Sequence, residues 1–194
     1  MTDRVEYSYV SGDRLNNRNT YFYTPSVGSA MLQAWLDSRA DVLQRLPSVA
    51  LAPPPADPVA AEPDLNAKTI DTRSCMEWVW GRLFKNEIDK TTQAWLLKFL
   101  RKFEISKRFH RAYNARFLAV DKALYRDLAL YVRGAEIMLR AYQVTHQLPY
   151  LNVSQKILDT LCSKEHELSP EEGARFAHLI RCEHTVILKL LGKE

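Results

Sequence analysis

Six of the nine prolines fall between Pro47 and Pro63, in the run Leu46-Pro47-Ser48-Val49-Ala50-Leu51-Ala52-Pro53-Pro54-Pro55-Ala56-Asp57-Pro58-Val59-Ala60-Ala61-Glu62-Pro63. Each proline fixes φ and removes a backbone donor, so the run cannot join a helix or a sheet interior and favours extended conformations. A Pro/Ala-rich linker is therefore expected over 48–66. It divides the 194 residues into an N-terminal arm, 1–47, and a helical domain, 67–194. Ala52-Pro53-Pro54-Pro55 also has the form of an SH3 or WW ligand, but no basic anchor stands beside it.

In the arm, Val5-Glu6-Tyr7-Ser8-Tyr9-Val10 and Thr20-Tyr21-Phe22-Tyr23-Thr24 are β-branched and aromatic stretches separated by polar turn-forming residues. This pattern predicts a β-hairpin, an element that is marginal in water unless it packs on something else. Ser29 is placed to cap an amphipathic helix that runs to about Arg45 and ends before Pro47. Its apolar stripe is Leu32, Trp35, Leu36, Leu43 and Leu46.

Past the linker the apolar spacing is helical almost throughout, and the fold class expected is a mainly α helical bundle of about five to six helices. Asp71 caps a stripe of Met76, Val79, Trp80, Leu83 and Phe84; after Asn86 the stripe is Ile88, Thr92, Trp95, Leu96, Phe99 and Phe103. From Ile105 it passes through Phe109, Tyr113 and Phe117. Asp121 begins a long element through Leu124, Leu128, Tyr131, Ala135, Met138, Leu139 and Tyr142, which Pro149 ends. A shorter helix carries Val153, Ile157, Leu158 and Leu161, and Ser169-Pro170-Glu171-Glu172 is a capping box that starts the last one.

Only six glycines occur, and no two lie close together. Glycine-rich phosphate loops and the strained G-x-S-x-G elbow need several close glycines, so the usual nucleotide-binding and α/β-hydrolase chemistries lose their sequence basis. None of the five histidines stands in H-E-x-x-H or E-x-x-H, the patterns of zincins and di-iron bundles. The polar N-terminus (Asp3, Arg4, Glu6, Asp13, Arg14, Arg18) does not read as a secretory signal. Apolar runs such as Trp95-Leu96-Leu97 are far too short to span a membrane. Three widely spaced cysteines, Cys75, Cys162 and Cys182, suit a reducing compartment rather than a disulfide framework. A soluble cytoplasmic protein is expected.

Cys162-x3-His166 and His178-x3-Cys182 resemble two ligand pairs on successive helices. At a rise of about 1.5 Å per residue, Cys182 lies about 18 Å further along an antiparallel hairpin than His166, so the four cannot share one zinc ion. Neither metal nor cofactor is expected. Cys182 with His178 one turn earlier gives a second alternative, an enzyme whose site is assembled by the fold, although one helix supplies no electropositive setting for a thiolate.

Charge is more informative. Residues 1–66 hold five Lys/Arg against eight Asp/Glu, which leaves 22 against 15 in the rest of the chain. Seven cations between Lys98 and Arg116 face Glu104 alone. Continuous helix there would align Arg101, Arg108 and Arg111. Arg126, Arg133 and Arg140, seven apart, would form a second ridge. Together with Lys98, Lys102 and Lys107, the residues Arg101, Arg108, Arg111, Arg126 and Arg133 are candidate anion contacts, and a nucleic-acid-binding module is the first alternative function.

The leading expectation is a non-enzymatic helical binding protein: an adaptor, regulatory subunit or assembly factor with a protein partner, with self-association also compatible. Trp35, Leu36, Tyr21 and Tyr23 are its candidate contact residues, because aromatic and large apolar groups dominate interface energetics.

Overall fold

The computed structural model describes residues 5–10, 18–23, 25–46, 61–64, 66–116, 118–120 and 127–193, with side chains from Ser29 onward. Its elements are β1 (Val5–Val10), β2 (Arg18–Tyr23), α1 (Pro25–Arg45), β3 (Ile70–Asp71), α2 (Thr72–Phe84), α3 (Lys90–Ser106), β4 (Ala112–Tyr113), α4 (Leu128–Thr145), α5 (Leu148–Cys162) and α6 (Pro170–Leu190). A single 3-10 turn, Glu165–Glu167, precedes α6. The architecture is mainly helical, with six α-helices among the described residues. Of the expected linker 48–66, residues 48–60 and Leu65 lie outside them, as do Phe117 and residues 121–126 with the expected cap Asp121.

The chain forms two compact units, one of residues 52–172 and one of residues 1–51 with 173–194. In the first, α4 packs on α5 and on α2. Local chemistry sets where these helices begin. Asp71 accepts from the backbone N–H of Ser74 at 2.8 Å, and Asp89 accepts from the backbone N–H and the hydroxyl of Thr92 at 2.8 and 2.9 Å. Each side-chain oxygen satisfies a donor that the first turn leaves without an intrahelical partner. The Thr92 N–H, its hydroxyl and Arg82 hold the Asp89 carboxyl below its ordinary range. The capping box at α6 closes as the sequence indicates: Glu172 N–H donates to Ser169 Oγ at 3.3 Å and Ser169 N–H to Glu172 Oε2 at 2.8 Å.

Helix ends depart from expectation. Lys107 takes a left-handed conformation, φ 54°, and donates its N–H to Phe103 O, so α3 stops at Ser106. Beyond Ser106 the stripe that passes through Phe109 and Tyr113 is therefore not helix. Its residues turn back into β4, where Ile70 pairs with Tyr113 and Asp71 with Ala112. Likewise α4 starts at Leu128, with Asp127 at its N-cap, and ends at His146, φ 55°. Pro149 opens α5 instead of closing α4, since its missing N–H costs nothing in a first turn. In α2, Trp80 is half-buried and Phe84 exposed, and Trp78 takes a core position.

The centre of this unit is aromatic. Phe109 stacks at 5.1 Å on Phe103 and meets Tyr131 edge-on at 5.6 Å. It fits because residue 134 of α4 is glycine: a Cβ there would lie 2.6 Å from Phe109 Cε2. Gly81 of α2 has open space around it. Gly134→Ala is expected to cost about 1–3 kcal/mol by overpacking, whereas Gly81→Ala gains about 0.5–1 kcal/mol of helix propensity. Denaturant unfolding monitored by circular dichroism separates the two.

In the other unit, β1 and β2 pair antiparallel from Val5 with Tyr23 to Val10 with Arg18. On α1 the buried residues Leu36, Arg39 and Val42 follow one face, and on α6 the buried face carries Ile180, Glu183 and Ile187. An arginine and a glutamate thus stand inside apolar stripes. They meet at 3.2 Å, Arg39 Nε to Glu183 Oε2, with side chains 3% and 0% exposed. Arg181 Nη2 adds a bond to the Leu46 carbonyl at 3.0 Å, beyond the end of α1. Removing one partner of such a pair leaves a buried uncompensated charge. Arg39→Met or Glu183→Leu alone is expected to cost about 3–5 kcal/mol, while the double substitution recovers most of that loss in equilibrium unfolding.

Candidate interaction surface

The ending of α3 at Ser106 leaves an exposed cationic turn in unit 52–172. Lys107 and Arg108 are solvent-exposed at the turn, and beside them Ile105 is 82% exposed. Lys107 Nζ reaches back to the Glu104 carbonyl at 2.6 Å, a cation on the negative end of the helix. Arg108 holds the turn by its backbone, its N–H donating to Ser106 Oγ at 3.3 Å and its carbonyl accepting from the same hydroxyl. Its guanidinium forms no ion pair among the described residues.

The chain then runs through Phe109, which is buried, and Thr72 closes the turn from α2. The Thr72 hydroxyl donates to the His110 carbonyl at 2.5 Å and its N–H to the Arg111 carbonyl at 2.9 Å. After β4 the backbone reverses around Asn114, whose Oδ1 accepts from Arg116 N–H at 2.9 Å and Leu118 N–H at 3.0 Å. Asn114 N–H donates to Leu118 O and Val120 N–H to Ala112 O, with Tyr113 bridged to Ala119. The returning residues are exposed: Leu118 by 54% and Val120 by 48%.

Other cations of the expected set are distributed around this turn. Lys98 is half-buried, its Nζ 5.1 Å from the Trp95 ring centre, and Lys102 lies 5.3 Å over Tyr113. Ring faces fix these ammonium groups without neutralising them. Arg101 is half-buried and Arg116 exposed. Arg111 and Arg73 flank the carboxylate of Asp127 at 3.9 and 3.6 Å, with side chains 55% and 63% exposed. Pairs this open hold little energy. With Asp71 and Leu130 these residues line an open cleft of about 250 Å³.

The second ridge does not form as drawn from spacing. Arg133 is 8% exposed, bonded through Nε to Glu77 at 2.8 Å and through Nη1 to Glu136 at 2.6 Å, and stacked 5.1 Å from the Trp80 ring centre. Arg140 bonds Asn86 Oδ1 at 2.9 Å. Arg126 lies outside the described residues. In the arm, Leu36 is buried and so is not offered to a partner, Trp35 is half-buried, and the side chains of Tyr21 and Tyr23 lie outside the described residues.

Cys182 Sγ stands 3.3 Å from His178 Nε2, but burial pushes its thiol up from the ordinary value, away from the thiolate a nucleophile needs. Among the described residues no group of three or more His, Cys, Asp or Glu is placed to hold a metal ion, and no helix is long and apolar enough to cross a membrane. Sequence reading missed the turn at Lys107 and the hairpin beyond it. Asn114 followed by Ala115-Arg116 was the one local turn signal, and it lay hidden in an apparent helical stripe. Comparison of the chain with protein-family models, curated proteins and solved structures yields no match in any of the three.

Two thiols give a direct check on this assignment. Burial, reinforced by Asp71 and opposed by Lys98, pushes Cys75 up to about 12 from an ordinary 9.0. The unfolded thiol ionises first, so this contribution to stability is whole below about pH 9 and falls away towards pH 12. Cys75→Ala is expected to reduce the alkaline fall in the unfolding midpoint. Near neutral pH, Cys182 should react with iodoacetamide more slowly than free cysteine; reaction at or above the free rate would identify an activated thiolate.

Proposed function

We propose that this chain is a non-enzymatic helical binding protein, an adaptor, regulatory subunit or assembly factor, which works through protein contacts at the cationic turn after α3. The observation that carries this reading is Ile105, 82% exposed, with the exposed cations Lys107 and Arg108 just beyond Ser106. An aliphatic side chain held in water beside cations matches a partner that supplies both apolar surface and carboxylates.

Binding of single-stranded nucleic acid commonly relies on exposed rings for base stacking. Here Phe99, Phe103, Phe109 and Tyr113 are all turned inward, none more than 3% exposed. At this turn the nucleic-acid reading then stands on phosphate neutralisation. Under the protein-contact reading, the N-terminal hairpin and helix on their Pro/Ala-rich linker form a second contact element with Trp35 as its test residue, and the setting is cytoplasmic.

The test is capture of tagged protein from its native lysate, with and without nuclease, beside the variant Arg108→Glu/Arg116→Glu. Defined proteins retained through nuclease are expected to drop at least tenfold with the charge-reversed variant and to weaken with added salt. Partners that vanish with nuclease would transfer the function to nucleic acid. Partners indifferent to the charge reversal would remove the turn after α3 as the working surface.

A further inference from the structure

We propose that the open edge of the small sheet at Ala119 takes up an extended acidic segment of a partner protein by strand addition; this rests on the protein-contact reading above. In an antiparallel pair whose flanking residues make the ladder bonds, the paired residues themselves turn their N–H and C=O away from one another. Asn114 N–H to Leu118 O, at 2.9 Å, and Val120 N–H to Ala112 O, at 3.1 Å, are those flanking bonds for Tyr113 and Ala119. Tyr113 therefore directs its backbone toward Ile70 of β3, its other neighbour. Ala119 directs its N–H and C=O off the far edge, where neither has a hydrogen-bond partner among the described residues.

Exposed sheet edges are normally guarded by charge, proline or a bulge on the edge itself, because they template further pairing. This one presents Leu118, Ala119 and Val120, all exposed. Leu118 and Val120 share one face by the two-residue period of a strand. They give an incoming strand apolar contacts at alternate positions, while Ala119 gives it a donor and an acceptor, as in peptide recognition by strand addition.

Charge selects the occupant. Arg116 stands at the turn end of the edge; at the other end Val120 faces Ala112, and Arg111, one residue earlier, is shared with Asp127. Lys102 lies over Tyr113, the cross-strand neighbour of Ala119. A strand laid along 118–120 thus meets the exposed Arg116 at the turn end and has Lys102 one strand away from its middle, while at the other end Asp127 offsets part of the charge of Arg111. Acidic residues alternating with aliphatic ones satisfy both features. A nucleic acid offers no peptide backbone with which to pair.

The experiment is fluorescence anisotropy on the full chain with a labelled nine-residue peptide of alternating glutamate and valine. A lysine–valine peptide and an alternately backbone N-methylated glutamate–valine peptide serve as comparisons. Ala119→Pro deletes the outward N–H while leaving the ladder groups Leu118 C=O and Val120 N–H in place, and proline is tolerated on edges; circular dichroism and a thermal melt check its fold. Saturable binding of the plain acidic peptide is expected, with at least a tenfold loss on N-methylation, a similar loss for Ala119→Pro, and no saturable binding of the lysine peptide. If Ala119→Pro misfolds, the N-methylation comparison on the unaltered chain decides alone.

Equal binding of the plain and N-methylated peptides, or no saturable binding of the plain one, overturns strand addition. If either result accompanies nuclease-resistant partners that are still lost on Arg108→Glu/Arg116→Glu, the protein-contact reading survives without it. If a duplex DNA oligonucleotide displaces the peptide and the captured partners depend on nucleic acid, both fall.

Discussion

The ring of Phe109 against Gly134 is the contact on which the path of the chain after α3 depends. Space for an aromatic ring on the helix surface exists only where the facing residue lacks a Cβ. Once seated, Phe109 is held by Phe103 and Tyr131, so the chain leaving α3 must turn inward two residues after Lys107. That inward turn has an outward consequence. Lys107 and Arg108, immediately before the ring, and Arg111, just after it, are forced to the surface while Tyr113 drops into the core. The cationic surface is the other side of an apolar packing decision.

The starts of α2 and α6 were legible, whereas α1 begins at Pro25 and not after Ser29, α4 begins at Leu128 and not after Asp121, and most helix ends were hidden, for a physical reason. Capping uses side-chain oxygens whose identity is written in the sequence, which is why Asp71 and the Ser169/Glu172 box stand where their spacing puts them. After α2, α3 and α4 the chain uses left-handed residues that are not glycine, Asn86, Lys107 and His146 with φ of 57°, 54° and 55°, whereas a glycine, Gly192 with φ 63°, follows α6. Such a conformation costs a non-glycine residue about 1–2 kcal/mol, and glycine or asparagine is the usual signal for it. At Lys107 and His146 packing overrides that local preference, so the aromatic spacing on either side of Lys107 imitates one continuous helix.

Buried charge was illegible for a related reason. Arg39 and Glu183 are 144 positions apart, and each interrupts an apolar stripe as a polar residue might on any solvated face. Nothing local distinguishes them. Arg133 shows the same limit in reverse. Its seven-residue spacing from Arg126 and Arg140 suggested an exposed ridge, yet Glu77 from α2 and Glu136 one turn along α4 draw it inward beneath Trp80. Spacing gives the face of a helix; which face is inside follows from partners that may be far away in the chain.

These placements change what the net charge means. The cations counted between Lys98 and Arg116 do not form one row along a helix, because the helix stops among them. Two are fixed over rings, one caps its own helix, one faces Asp127, Arg101 is half-buried, and Arg108 and Arg116 project without an ion pair among the described residues. A protein that tracks a nucleic-acid backbone gains affinity by neutralising about 6–10 phosphates in register, which calls for cations spread along a line. A short cluster around a hairpin edge, with Leu118 and Val120 between its cations, instead suits a segment of a few residues that alternates carboxylate and aliphatic groups. Affinity would then come from two backbone hydrogen bonds and the apolar contacts, and the charges would set polarity and exclude basic competitors.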